Sequence, residues 1–180
     1  MRKTYVRNLT AGCAAFMAAA LIFSAGFSKT AFADEADKTT LVYGSTDYTR
    51  INPAMDEHCE INVLLFDGLT DHDGDNQIIP RLAKSWEYDE ENLTYTFHLE
   101  EGVKWHDGEP FTAEDVKFTF EAIMDPANES ENAPDYEDIE SIEVIDEHTV
   151  AFHLSNVNTA FLEYMTKPVM PKHLLEGEDI

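Results

Sequence analysis

The chain has 180 residues, 36 of them acidic and 12 basic, for a formal charge of −24 at neutral pH. Such a surface repels phosphate backbones, which excludes nucleic acid as a partner and disfavours anionic ligands outside a local basic pocket. Two cysteines, Cys13 and Cys59, with Cys13 inside the leading apolar run, leave no internal disulfide framework, so stability has to come from a hydrophobic core.

The basic opening "MRKTYVR" leads into an apolar run from Leu9 to Phe27 and then into "SKTAFADEADK". Ala31-Phe32-Ala33 fits the small-x-small pattern cut by a signal peptidase, with cleavage before Asp34. Residues 1–33 are therefore expected to be a secretory signal and the protein to be exported, periplasmic or at the cell surface. A retained anchor is the alternative, because the run is nearly long enough to span a bilayer; the polar, acidic segment after the cleavage pattern argues for removal. Cys13, in "LTAGC", stands at the start of the apolar run instead of its end, which argues against a lipoprotein cleavage box. Cleavage would leave 147 residues with eight basic against 36 acidic, a formal charge of −28.

"LVYGS" from Leu41 is a short apolar run of strand type, followed by a loop with Asn52-Pro53 as its turn signal. From Glu57 to Phe66 the spacing of Ile61, Leu64 and Leu65 predicts a helix, stopped by Asp67-Gly68. In "DHDGDN", Asp71, Asp73 and Asp75 alternate as in a calcium loop. Asn76 stands where that loop needs glycine and Leu82 where it needs glutamate, so a hairpin turn is expected. "SWEYDEENLTYTFHL" reads as a hairpin in which Tyr95, Phe97 and Leu99 alternate with polar residues, and "SIEVIDEHTVAFHL" as a second, with Val150, Phe152 and Leu154 on one face. His98 and His153 fall on the polar faces of their strands; they would be candidate metal ligands if the strands were adjacent, and are expected to face solvent.

Between the hairpins, "GVKWHDGEPFTAEDV" has the residue types of an active site. Each has an ordinary local role instead. Asp107-Gly108 suits a turn, and Trp105 is a packing residue. Thr112 caps a helix with Asp115 placed for a reciprocal bond, and Phe111 with Val116 forms a hydrophobic staple. His106 is left over. Val116, Phe120, Ile123 and Met124 share one helix face, which Asp125-Pro126 ends. An acidic loop follows, and then a last helix expected from Asn158, stapled by Val157 and Leu162 and ended at Lys167-Pro168. No G-x-S-x-G or H-E-x-x-H is present, so an exported hydrolase is disfavoured and no enzymatic activity or cofactor is expected.

The stretch "FHLEEGVKWHDGEPFTAEDVKFTFE" (97–121) resembles the signature of the family 5 extracellular solute-binding proteins, receptors of ATP-binding-cassette importers of oligopeptides, dipeptides and nickel. "INPAMDEHCEINVLLFDGLT" (51–70), "IIPRLAKSWEYDEENLTYTFHL" (78–99) and "VMPKHLL" (169–175) resemble further ordered motifs of the same family. Glu100 departs from the basic residue common in that place. The chain also stops before the family's "G-T-G-P-Y" segment and second lobe. The resemblance implies a mixed α/β, class II periplasmic-binding-protein-like fold, present in part as the N-terminal portion of lobe one. Residues 34–50 would hold the first strand segment, 51–170 an inserted α+β subdomain, and 171–180 a truncated return into lobe one.

It implies a peptide ligand, membrane permease subunits as partners, and a monomer when full length. The chain by itself is expected to bind weakly, since a cleft binder buries its ligand between two surfaces. The ligand-binding candidates are Thr46, Asp47 and Tyr48, and in the following loop Asp56, His58, Cys59 and Glu60. An acidic group such as Asp47 or Asp56 would meet a peptide's ammonium end. Under a nickel or nickel-chelate alternative, His58 and Cys59 would be the metal ligands.

Overall fold

The computed structural model describes Asn52 and residues 62–178, all within one compact unit. The signal segment, the "LVYGS" strand and the first turns of the helix expected from Glu57 lie outside the described residues. What is described of that helix is α1, Asn62–Leu65. Leu64 on this helix is 51% exposed and lines a cavity.

β1 (Thr70–His72) and β2 (Ile78–Pro80) form an antiparallel hairpin, as the turn-rich "DHDGDN" predicts. Asp73 builds the turn: its Oδ1 accepts the amides of Asp75 and Gln77, both at 2.9 Å, while Asn76 adopts φ +60°.

β3 (Ala83–Asp89) and β4 (Thr94–Leu99) are the first predicted hairpin. Its turn is held by Asp89, which accepts the Glu91 and Asn92 amides and the Asn92 side chain. A loop leads to α2, Ala113–Met124. β5 (Ile139–Asp146) and β6 (Thr149–Leu154) are the second hairpin. Pairing of β4 with β6 joins the two into one antiparallel sheet of order β3-β4-β6-β5.

The alternation read from the sequence decides which face is covered. Phe97, Leu99, Val150, Phe152 and Leu154 are buried against Val116, Phe120 and Ile123 of α2. Phe152 meets Phe97 and Phe120 edge-on, with ring centroids 5.7 and 5.3 Å apart. Burying each of these side chains contributes roughly 1.5–3 kcal/mol, which makes this interface the main source of stability.

The acidic loop follows α2 as expected. It winds through two tight turns, Pro126–Asn128 and Ala133–Tyr136, and delivers Tyr136 into the core at 1% exposure. Burial pushes the Tyr136 hydroxyl far above its ordinary pKa, and the neutral group donates to the Tyr164 carbonyl at 2.9 Å. The last predicted helix is shorter than its pattern. α3 spans only Phe161–Tyr164, and Val157 is 68% exposed, so there is no staple. Asn158 is held in a turn ahead of the helix: its Oδ1 accepts the Ala160 amide and its Nδ2 donates to Asp138.

The chain then reaches α4, Lys172–Leu175, along α2. Thr119 and Asp115 fix that path. Thr119 Oγ1 donates to the Asp115 carbonyl and accepts the Met170 amide, both at 2.8 Å, and Asp115 Oδ1 accepts the Lys172 amide at 2.9 Å. Residues 67–70 are tied to 162–169 as well, through Leu69 N–H to Met165 O and Val169 N–H to Asp67 O. The approach is so close at Gly68 that a Cβ would stand 2.5 Å from the Thr166 carbonyl oxygen. Among the described residues, no helix is long and apolar enough to cross a membrane.

Candidate functional site

The loop between β4 and α2 is built as its sequence predicts. Trp105 N–H donates to Glu109 O at 2.8 Å, Gly108 N–H returns to Trp105 O, and Asp107 Oδ1 accepts the Glu109 amide. Gly108 supplies the φ of +96° that the turn requires. Trp105 packs edge-on against Phe111, with centroids 6.1 Å apart. Thr112 and Asp115 form the predicted capping box, the Asp115 carboxylate accepting the Thr112 amide at 2.8 Å. Asp107 Oδ2 lies 2.8 Å from His173 Nε2, and Glu114 pairs with Lys172 Nζ at 2.9 Å. These three acids are thus committed to turn, cap and α4 docking. His106 remains exposed.

One face of this loop closes a cavity of about 330 Å³. Its apolar wall comes from Leu64 and Leu65 of α1, Leu82, Val103 and Phe111. Its polar wall comes from Asp67, Arg81, Lys104 and His106. Arg81 donates through Nε to Asp67 Oδ1 at 2.8 Å, and this bond raises the Arg81 pKa further. The terminal guanidinium nitrogens, the Lys104 ammonium and the His106 ring make no hydrogen bond to a described residue, although the Asp71 carboxylate also acts on Arg81 through space. A chain with three acids for each base here carries one acid beside two bases and a histidine.

Comparison with known proteins assigns the fold. Residues 77–176 match the sequence profile of the bacterial extracellular solute-binding proteins, family 5. The chain belongs to this family. A di/tripeptide-binding protein of Pseudomonas aeruginosa is 37% identical over 122 residues, covering 58% of this chain and 23% of that protein. NikZ of Campylobacter jejuni, solved in complex with Ni(L-His), superposes with a TM-score of 0.72 at 41% identity, covering 74% of this chain and 27% of NikZ. The oligopeptide-binding protein AppA of Bacillus subtilis, solved with a nonapeptide, superposes with a TM-score of 0.66 at 28% identity over 70% of this chain and 26% of AppA. The chain thus spans about a quarter of the length of the relatives it matches. Its mixed α/β architecture is part of the periplasmic-binding-protein fold of these family 5 neighbours.

In this family 5 protein the seven ligand-binding candidates, Thr46, Asp47, Tyr48, Asp56, His58, Cys59 and Glu60, lie outside the described residues. The two strand histidines are described. Their strands do pair, yet His98 stands opposite Thr149 and His153 opposite Thr94, four steps apart along the ladder. At about 3.3 Å per residue that separation is too long for one ion to bridge. His153 instead contacts Thr94 Oγ1 at 3.0 Å and Glu143 at 3.4 Å. Among the described residues, no group of three or more His, Cys, Asp or Glu is placed to hold a metal. Sequence reasoning missed Arg81 and Lys104. Their signal was scarcity, since a basic side chain is conspicuous in so acidic a chain.

Proposed function

We propose that this chain belongs to the solute-binding component of an ABC importer, which captures peptides outside the cytoplasm and delivers them to a membrane permease. The observation that carries this reading is the family membership joined to relatives named for di- and tripeptide binding and for oligopeptide binding. The loop bearing Thr46, Asp47, Tyr48 and Asp56 to Glu60 would face the peptide, with an acidic group at its ammonium end. Export follows from the N-terminal pattern, and the full receptor would act as a monomer. Because the matched length is about a quarter of the relatives, these residues would supply only part of the surface that encloses a peptide.

A nickel-chelate reading stands second, supported by the likeness to NikZ with its Ni(L-His). Calorimetry separates the two. A full-length receptor carrying this sequence should bind a di- or tripeptide at micromolar Kd or tighter, and the 180-residue chain alone at least tenfold more weakly (about 1.4 kcal/mol). Binding of Ni(II)-histidine with no peptide response would reverse the order of the two readings. Equal peptide affinity for both proteins would show that the isolated chain already encloses its ligand.

A further inference from the structure

We propose that the cavity between α1 and the Val103–His106 loop is a binding site for a small monocarboxylate with an apolar tail. Three observations converge on that chemistry. First, the volume, about 330 Å³, falls at the small end of ligand pockets and suits a body of a few carbons. Second, among the described residues the cavity's donors have hydrogen-bonding capacity to spare. Arg81 uses only Nε toward Asp67, at 2.8 Å, which leaves its two terminal nitrogens as the planar fork that matches a carboxylate. The Lys104 ammonium, on the same cavity, has no partner among the described residues. Third, the lining also includes apolar side chains. Leu64, left 51% exposed, would be covered by a ligand's hydrocarbon part together with Leu82 and Val103.

Charge selects among anions. Among the lining side chains, Arg81 and Lys104 against Asp67 leave one net positive charge, which the nearby Asp71 carboxylate partly offsets, so the site can balance no more than a single carboxylate. A multiply charged phosphate would exceed it inside a strongly acidic chain. The apolar wall offers phosphate nothing in return. The site is independent of peptide capture, since its probe has no peptide bond and the residues differ from those of the loop at 46–60.

The test is NMR titration of the full chain with butyrate, following the Trp105 indole N–H and the amides of residues 103–106. Saturable shifts confined to these signals are expected. Butyramide, the neutral isostere, should bind at least about tenfold more weakly, the scale of a lost charged hydrogen bond. Inorganic phosphate should not saturate the same signals. Lys104→Gln, at an exposed position without a hydrogen-bond partner among the described residues, should weaken butyrate by about tenfold with the rest of the spectrum unchanged. Arg81→Lys keeps the charge and removes the fork, and should weaken it comparably. Equal binding of butyramide would reduce the site to an apolar hollow. Saturation by phosphate would make it a general anion site. Either result, or butyrate shifts that are absent or insensitive to both substitutions, overturns the proposal.

Discussion

At Asp107 one carboxylate serves two distant segments. Oδ1 accepts the Glu109 amide inside its own turn, and Oδ2 meets His173 on α4. The hydrogen bond from His173, helped by the backbone amide, holds the Asp107 carboxyl below the usual range. Asp89 is held down by Asn92, and Asp146 by the His148 amide, at two hairpin turns. A carboxyl with a depressed folded pKa contributes stability that is fully present above its unfolded value, about 3.9, and is lost as pH falls through the lower folded value. Asp107→Asn should therefore lower the urea midpoint at pH 7, and its gap from the parent chain should close as pH falls below about 4. A gap unchanged between pH 7 and pH 3 would show that the carboxylate's charge does nothing. Half of this was legible in the sequence: Asp-Gly announces a turn by itself. The tie to His173 was not, because it joins residues 66 apart in the chain, and no local pattern encodes which distant side chain a turn will face.

Among the elements, both hairpins were readable because a period of two writes the buried face directly into the residue order, and α2 because cap, staple and apolar stripe agree. α3 misled for an equally local reason. Val157 and Leu162 have staple spacing, but Asn158 is bound to Asp138, and that contact, 20 residues away in sequence, holds the chain in a turn. Tyr136 was hidden because a lone aromatic among acids has no period. The cavity is assembled from segments at 64–67, 81–82, 103–106 and 111, so it exists only after the elements dock. The docking of α4 is similarly non-local and rests on Thr119, whose fully buried hydroxyl accepts the Met170 amide. Thr119→Val keeps the shape and strands that amide, at a cost of about 1–3 kcal/mol. Hydrogen exchange should localise the loss, with Met170 and Lys172 amides exchanging faster than those of β4 and β6. Uniform acceleration across the sheet would mean that the hydroxyl supports the whole fold and not the path into α4.

For the molecule as a whole, the ordered motifs led to the family because they span several elements at once, and the profile match over 77–176 covers the same hairpins and helix. The charge is a property of no single element. Twelve basic side chains cannot balance 36 acids, so at least 24 negative charges have no positive charge to offset them. The ion pairs described, such as Arg81–Asp67 and Lys84–Glu101, have well-exposed partners and are individually weak. Repulsion among unpaired acids therefore outweighs attraction within pairs, and at low ionic strength it acts against the compact state. Salt screens both over a Debye length of about 10 Å at 0.1 M. Because the repulsion is the stronger of the two, weakening it should dominate the response. Raising NaCl from about 10 mM to about 0.2 M at neutral pH should increase Tm, most steeply over the first increments where the screening length shortens fastest. The rise should shrink near pH 4.5, where part of the carboxylates are protonated and the repulsion is already reduced. A Tm that falls with NaCl at neutral pH would mean that the exposed ion pairs outweigh the excess of acid.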